Sequence, residues 1–370
     1  MLAIHYHKKQ EQIEAYNYIC HCMFADRNSD SMIVYLTEQG ASLTKKGKRL
    51  VLKKQGNVLR YIHTHNLEQI ILMGSIMLSP STVHFVLSNN IDTVYMTVHG
   101  DYRGRLTSAL SKNIELRIKQ FKHCDNKEFA MTIAKECVRG KLENYRSLLR
   151  RLNQELKIEE MESAIHNIRN TLGKLDNAAT IDAVRGHEGY GSAEYFSAFK
   201  YGIKNNEFQF TTRVRRPPTD PINALLSFGY TLLLNTMITH IYIAGLDPYL
   251  GNLHEVDYGR PSLALDLIEE FRPVIVDSLI LKLINKRCLS PHDFVIKPVE
   301  GESTADTKYP VLLTKTALRK FIHYFEDKLA EKYFYFHSGQ KLTYKQIMEK
   351  QVRQYAHALE GAGYKSLLWS

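Results

Sequence analysis

The chain has 370 residues, 44% of them hydrophobic, and carries 49 Lys plus Arg against 39 Asp plus Glu, a formal net charge of +10. That length and apolar share suit two packed cores and exclude a disordered chain, while the basic excess points to a polyanionic partner, nucleic acid before an anionic membrane. Five scattered cysteines, Cys20, Cys22, Cys124, Cys137 and Cys288, form no CxxC pair, which suits a reducing compartment and makes the cytoplasm the expected location. The opening residues lack a long apolar core and no stretch reaches the roughly 18 uninterrupted apolar residues of a membrane span, so neither secretion nor membrane insertion is expected.

Residues 1–32 are polar, rich in histidine and end in ADRNSDS, a run of turn formers; they read as an extension or linker. His5, His7, Cys20, His21 and Cys22 are ligand types, but C-x-C with distant histidines is not a zinc spacing. From Ile33 the pattern changes to short β-rich runs: IVYLT, a turn through SLTKKGKR, LVLKK, NVLRYI, QIILMG and TVYMTV. These predict a β-rich domain over 33–112. One helix is expected inside it, from about Pro80 to Leu87, capped by Ser79 with Pro80 at the first helical position.

From Ile114 the apolar residues recur three and four apart through IELRIKQF, EFAMTIAKECVRGKLENYRSLLRRL and KIEEMESAIHNIRNTLGKL, which predicts a helical domain over 113–370. INALLSFGYTLLLNTMITHIYIAG is apolar around most of its circumference and reads as the central buried helix. VIVDSLILKLI and ALRKFIHYFEDKLAEKYF read as amphipathic helices packed on it. The expected fold class is α+β with two domains, a small N-terminal mostly-β domain followed by a larger all-α catalytic domain.

The most informative stretch is GNLHEVDYGRPSLALDLIEEFRP, 251–273, in which His254 stands in a glycine-rich turn before an acidic, otherwise apolar helix. On that helix Asp266 and Glu269 are three apart and share a face, with Glu270 within one turn of Asp266. A second acidic segment, RGHEGYGSAEYF at 185–196, places Glu188 between glycines where another helix is expected to open. One imidazole with two or three carboxylates suits Mg²⁺ or Mn²⁺, since hard cations prefer oxygen ligands and tolerate one nitrogen.

Four segments in order resemble the CRISPR adaptation integrase, or Cas-one, family: IVYLTEQGASLTKKGKRLVL its opening β-hairpin, RGHEGYGSAEYF its first acidic motif, DPINALLSFGYTLL its central helix, and GNLHEVDYGRPSLALDLIEEFRP its histidine and second acidic motif. The resemblance spans roughly 33–360. It implies metal ligation by Glu188, His254 and Glu269, with Asp266 as an adjacent catalytic-site acid that binds the ion directly or through water. It further implies a homodimer, assembly with the small Cas-two protein into a heterohexamer on a prespacer DNA duplex, and insertion of new spacers at the CRISPR repeat by attack of a 3′-hydroxyl. Some members of the family follow a reverse transcriptase in one polypeptide, and the polar residues 1–32 would suit a linker from such a fusion.

Beyond the ligands, Arg213, Arg215 and Arg216 in TTRVRRPPTDP and Lys286 and Arg287 in NKRCLS are candidate phosphate contacts. Tyr190 and Tyr195 are candidates to stack on DNA or to anchor the core, and His187 to face DNA or support Glu188. Asn223 and Ser227, four apart, line the site or pack helices. The same residue set also fits a metal-dependent nuclease of branched DNA, or a DNA-binding scaffold with a vestigial site; metal-dependent joining at the repeat separates the three.

Overall fold

A computed structural model of the protein describes residues 22–24, 32–108, 113–215, 217–296 and 309–369. The chain divides into two units, one within Met1–Ala109 together with Leu318–Asp327, the other within Leu110–Ala317 together with Lys328–Ser370.

Among the described residues the first unit holds nine strands, β1 (Cys22–Phe24), β2 (Met32–Leu36), β3 (Ser42–Lys46), β4 (Arg49–Lys54), β5 (Asn57–His63), β6 (Leu67–Met73), β7 (Met77–Leu78), β8 (Asp92–Met96) and β9 (Tyr102–Leu106), and, besides the helical stretch Leu318–Asp327, the helix α1 (Pro80–Ser88). They form a five-stranded sheet in the order β1-β2-β6-β8-β9 and a four-stranded sheet in the order β5-β4-β3-β7. The parallel strands β2, apolar throughout, and β6, apolar from Ile70 onward, are buried almost throughout, as strands covered on both faces must be. Val34, Leu36, Leu43, Leu50, Leu52, Ile70 and Leu72 share one core. Ser79 caps α1 by accepting from the Thr82 N–H, with Pro80 at the helix start, as the sequence predicts.

Three expectations for this region change. SLTKKGKR is not a turn throughout: Ser42–Lys46 is strand β3, paired antiparallel with β4 around Gly47. Leu43 is fully buried there while the lysines point outward, so the charges mask a period-two pattern. The expected extension 1–32 contains a strand, since Cys22–Phe24 pairs antiparallel with Val34–Leu36; the rest of 1–31, with His5, His7, Cys20 and His21, lies outside the described residues. Residues Leu318–Asp327 of the ALRKFIHYFEDKL helix belong to the first unit, where Glu326 accepts the buried Tyr35 hydroxyl and Arg319 donates to Thr37.

The second unit is built on α2 (Ile114–Lys122), α3 (Lys127–Leu156), α4 (Glu159–Leu175), α5 (Ile181–Phe199), α6 (Pro221–Ala244), α7 (Ser262–Ile268), a π-helical turn (Arg272–Asp277), α8 (Ser278–Asn285), the ends of α9 (Lys315–Ala330) and α10 (Tyr344–Ala358). Helix α6 starts at Pro221 behind the Asp220 cap and ends at Gly245 in the left-handed region. It is long and apolar enough to cross a membrane by length and composition, and 72% of its apolar window is buried, as befits the central helix of a packed unit. The unit is not all-α. Two short antiparallel pairs, β10 (Phe294–Ile296) with β11 (Val311–Leu313) and β12 (Lys332–Tyr335) with β13 (Gln340–Thr343), lie within it. The charged, aromatic alternation of KYFY reads as the end of a helix in sequence, yet Tyr335 is its one buried residue.

Candidate active site

Helix α5 begins at the Thr180 cap, which accepts from the Ala183 N–H at 3.1 Å. Glu188 therefore stands well inside the helix and does not open it. Ser192 and Tyr195 follow at i+4 and i+7, so the three share a face. Ser192 Oγ donates to Glu188 Oε1 at 2.8 Å, and Tyr195 stacks on Tyr145 of α3 with ring centroids 3.6 Å apart.

The loop 245–261 brings His254 to this face. Arg185 of α5 clasps the loop, donating to the Leu253 carbonyl at 2.8 Å and to Glu255 at 2.7 Å. Asp266 of α7 then organises it from below, accepting the N–H groups of Asn252, Leu253 and His254 at 2.5, 2.9 and 2.9 Å and the His254 Nδ1–H at 2.7 Å. Gly251 permits this approach, because a Cβ there would lie 2.6 Å from Ser262 Cβ and 3.0 Å from Asp266 Oδ2. Asp266 is 0% exposed and its two oxygens receive four donors, which leaves no room for direct cation binding. It holds His254 in the tautomer whose Nε2 carries a free lone pair. That Nε2 lies 4.0 Å from Glu269 Oε1.

Glu269, at the end of α7, is buried between two cations. Arg272 Nη2 stands 3.1 Å from Oε1 and the Lys141 ammonium 2.7 Å from Oε2. The same ammonium pairs with Glu188 Oε1. Burial alone would raise both carboxyls. For Glu269 the charges of Arg272 and Lys141 outweigh it and hold the group down at about 2. For Glu188, Lys141 and the Ser192 hydroxyl bring it below the ordinary range against burial and the repulsion of Glu269. Burial would lower Lys141, but Glu188 and Glu269 raise it, so it stays an ammonium. Both carboxylates are thus ionised at neutral pH.

Behind this cluster Arg272 lies over the Tyr230 ring at 4.7 Å, and Tyr230 and Tyr195 donate to Asp277 at 2.6 and 2.8 Å. Burial pushes Asp277 up to about 6, against those two hydrogen bonds. Glu270 faces away from Glu269. It accepts from Gln351 at 2.7 Å, the Leu367 N–H at 2.5 Å and the Tyr364 hydroxyl at 3.1 Å, and burial pushes it up to about 7.

Glu188, His254 and Glu269 are therefore gathered at one point, with Asp266 supporting them. Among the described residues no three His, Cys, Asp or Glu side chains close into a coordination sphere; the Lys141 ammonium stands between the two acids instead. The donor chemistry nonetheless fits a hard divalent cation. Two ionised carboxylates and a free imidazole nitrogen face one another, and the buried Glu269 Oε2 has no directed hydrogen-bond donor despite its ion pair.

The proposed DNA contacts fare unevenly. Tyr195 is 0% exposed and is a core anchor, not a DNA contact. Tyr190 is 50% exposed and lines a polar pocket with Asn167, Asn170, Thr171, Lys174 and His187. Arg213 is tied down inside the unit, donating to the Val214 carbonyl, Asn223 Oδ1 and Ser227 Oγ at 2.7, 2.8 and 3.1 Å, so Asn223 and Ser227 fasten the 212–214 segment to α6. Arg215, Lys286 and Arg287 are exposed, and Arg216 lies outside the described residues. Lys141, Tyr145, Tyr230, Arg272 and Asp277 escape a reading by motif. Lys141 leaves one signal, a lysine set within the apolar stripe Cys137, Val138, Leu142, Tyr145 of α3, and Arg272 another, three residues from Glu269 on the same face.

A strand-rich unit and a helical unit that gathers a half-buried histidine and two carboxylates paired through one buried lysine define an acid-rich class of proteins whose donor types suit a hard divalent cation. Residues 34–327 match the CRISPR associated protein Cas1 family, and the chain belongs to that family. It is 35% identical over 323 residues to CRISPR-associated endonuclease Cas1 3 of Thermus thermophilus, covering 87% of this chain and 92% of that one. It is 37% identical over 252 residues to CRISPR-associated endonuclease Cas1 of Leptospira interrogans, 66% of this chain and 95% of the relative. A solved CAS1 protein from Thermotoga maritima superposes with a TM-score of 0.76 at 26% identity over 90% of this chain and 99% of that one. The fold is shared, at 23% identity, with a casposase bound to its integration product (TM-score 0.78, covering 91% and 94%) and with a Cas6-RT-Cas1–Cas2 complex chain (TM-score 0.79, covering 94% of this chain but 37% of that one).

Proposed function

We propose that this protein is a metal-dependent DNA endonuclease and integrase that inserts new spacers into a CRISPR array, with Glu188, His254 and Glu269 as ligands of Mg²⁺ or Mn²⁺. The observation that carries the reading is the convergence of His254 Nε2, freed by the Asp266 contact to Nδ1, on the ionised Glu269 beside Glu188. Membership of the Cas1 family, with relatives described as endonucleases, supports it. So does the fold shared with a casposase.

Integration is a transesterification in which the 3′-hydroxyl of incoming DNA attacks a repeat phosphodiester, so no protein nucleophile is required. A divalent cation bound by these ligands supplies Lewis acidity for the phosphate oxygens and lowers the pKa of the attacking hydroxyl. The chain's own part is to keep Glu188 and Glu269 ionised, to present His254 Nε2 and to hold Glu269 through Arg272. The exposed Arg215, Lys286 and Arg287 then meet phosphates, Tyr190 meets a base or sugar at the pocket rim, and the net positive charge steers DNA inward. The working form is a homodimer that joins a Cas2 dimer in a heterohexamer on the prespacer duplex in the cytoplasm, and the Cas6-RT-Cas1–Cas2 complex of similar fold suggests a reverse transcriptase as a further partner.

The test is strand transfer with the purified chain, its Cas2 partner, a short duplex with free 3′-hydroxyls and a plasmid carrying the repeat array. Joining at the repeat ends that requires Mg²⁺ or Mn²⁺ and vanishes in Glu188→Gln and His254→Ala is the expected result. Joining that persists in excess chelator sinks the metal assignment, and cleavage of branched DNA without joining moves the function to a repair nuclease.

A further inference from the structure

Lys141 is a charged participant in the acidic cluster that neither the motifs nor the proposed chemistry uses. It rises from α3 into the point shared by Glu188 and Glu269, with its side chain 2% exposed. A lysine removed from water to that degree is tolerated only with charged partners, and here it has two. Its ammonium pairs with Glu188 Oε1 and stands 2.7 Å from Glu269 Oε2, with the Tyr145 ring 5.6 Å away.

The charge count is informative. Two carboxylates, Glu188 and Glu269, face two fixed cations, Lys141 and Arg272. Those four groups are therefore balanced before any divalent ion arrives, while Asp266 is committed to His254 and three backbone N–H groups, so an added ion would meet two carboxylates that already have their cations. Arg272 cannot easily leave, being packed over Tyr230. Lysine differs: it is a point charge on a flexible four-carbon stem. Glu188 keeps Ser192 as a second anchor when the ammonium is gone, and Glu269 keeps Arg272.

We infer that Lys141 is a resident counter-cation which holds Glu188 and Glu269 together in the metal-free protein and is exchanged for the divalent ion, so that metal binding is a competition with the chain's own ammonium. This rests on the assignment of those two acids and His254 as ligands. The exchange makes metal affinity low in the absence of DNA, while the carboxylates stay assembled and do not repel one another apart.

The experiment is Mn²⁺ binding to the chelator-stripped, DNA-free protein, followed by the electron paramagnetic resonance of free Mn²⁺, for the native chain, Lys141→Met, Lys141→Gln and Lys141→Arg. Removing the charge should tighten Mn²⁺ binding about tenfold or more, whereas Lys141→Arg should not tighten it. Metal-free Lys141→Met should also melt below the native chain and gain more in Tm from Mn²⁺. Native binding with unchanged or weaker affinity in the uncharged variants overturns the exchange alone. Absence of Mn²⁺ binding in every form overturns the ligand assignment on which it stands. Where a variant fails to fold, a crystal of the native chain grown with Mn²⁺ decides: an ammonium withdrawn from at least one carboxylate supports the exchange, and one still within hydrogen-bonding distance of both with the ion bound refutes it.

Discussion

Glu269 and Glu270 are adjacent in the chain and equally removed from water, yet the first is held at about 2 and the second pushed up to about 7. Glu269 faces Arg272, Lys141 and His254, while Glu270 faces Gln351, Tyr364 and the Leu367 N–H. Burial penalises both anions alike, so the sign of the shift is decided by whether the partners carry charge. One side of the α7 terminus is built to keep a carboxylate ready for a cation; the other uses a carboxyl as a junction for the C-terminal segment 364–369. Gly140 of α3 lets that segment come close, since a Cβ there would meet Ser366 Cβ at 2.5 Å and Glu270 Cβ at 3.0 Å.

The strongest way to break the contrast is Glu269→Gln. It should lower strand transfer roughly 10³-fold and, by leaving Lys141 and Arg272 without their shared anion, cost about 3 kcal/mol in urea unfolding. Unchanged joining would remove Glu269 from the site.

Next comes pH. Because the folded pKa of Glu270 is raised from 4.5 to about 7, its contribution is complete below pH 4.5 and is lost as pH rises to 7, about 3 kcal/mol in all. Glu269 acts with opposite sign, its contribution present above pH 4.5 and lost as pH falls toward 2. Urea unfolding across pH 4 to 8 should therefore show a decline that Glu270→Gln makes shallower, leaving the part below pH 6 that Asp277 supplies; an equal slope in the variant would contradict the account.

Asp266→Asn sharpens the division between holding and ligating. The amide cannot accept all four donors, His254 loses its fixed tautomer, and Mn²⁺ affinity should fall about 10- to 100-fold. Affinity unchanged in titration would return Asp266 to a passive role. The smallest expected effect is on the junction side. Arg151 stacks on Trp369 at 3.7 Å, and Arg151→Ala should cost about 1 kcal/mol in thermal unfolding with joining intact.

The local parts of this design were legible in sequence, and the long-range parts were not. The Ser79–Pro80 start of α1, the apolar circumference of α6 and the i, i+3 spacing of Asp266 and Glu269 all follow from short-range rules of capping and periodicity. Glu188 and His254 were marked by ligand chemistry and glycine context. For Asp266 the sequence leaves direct binding and binding through water open, because ligation and orientation need the same residue type and only the three backbone donors tell them apart. Tyr195 and Arg213 look like DNA contacts by residue type, but packing makes one a core ring and the other a brace for α6. Lys141 lies 47 residues from Glu188 on another helix, and no local rule links them.

Residues 318–327 carry a practical consequence for dissecting this protein. Glu326 supplies the acceptor for the Tyr35 hydroxyl, and Tyr35 is 1% exposed on β2. A fragment ending near residue 109 would leave that phenol without its partner and would lack Phe321 and Phe325, both fully buried residues of the same unit. Such a truncation should aggregate, whereas the same fragment supplied in trans with a peptide of the α9 sequence should be rescued. The first unit is thus a two-piece assembly whose second piece the ribosome delivers more than two hundred residues later.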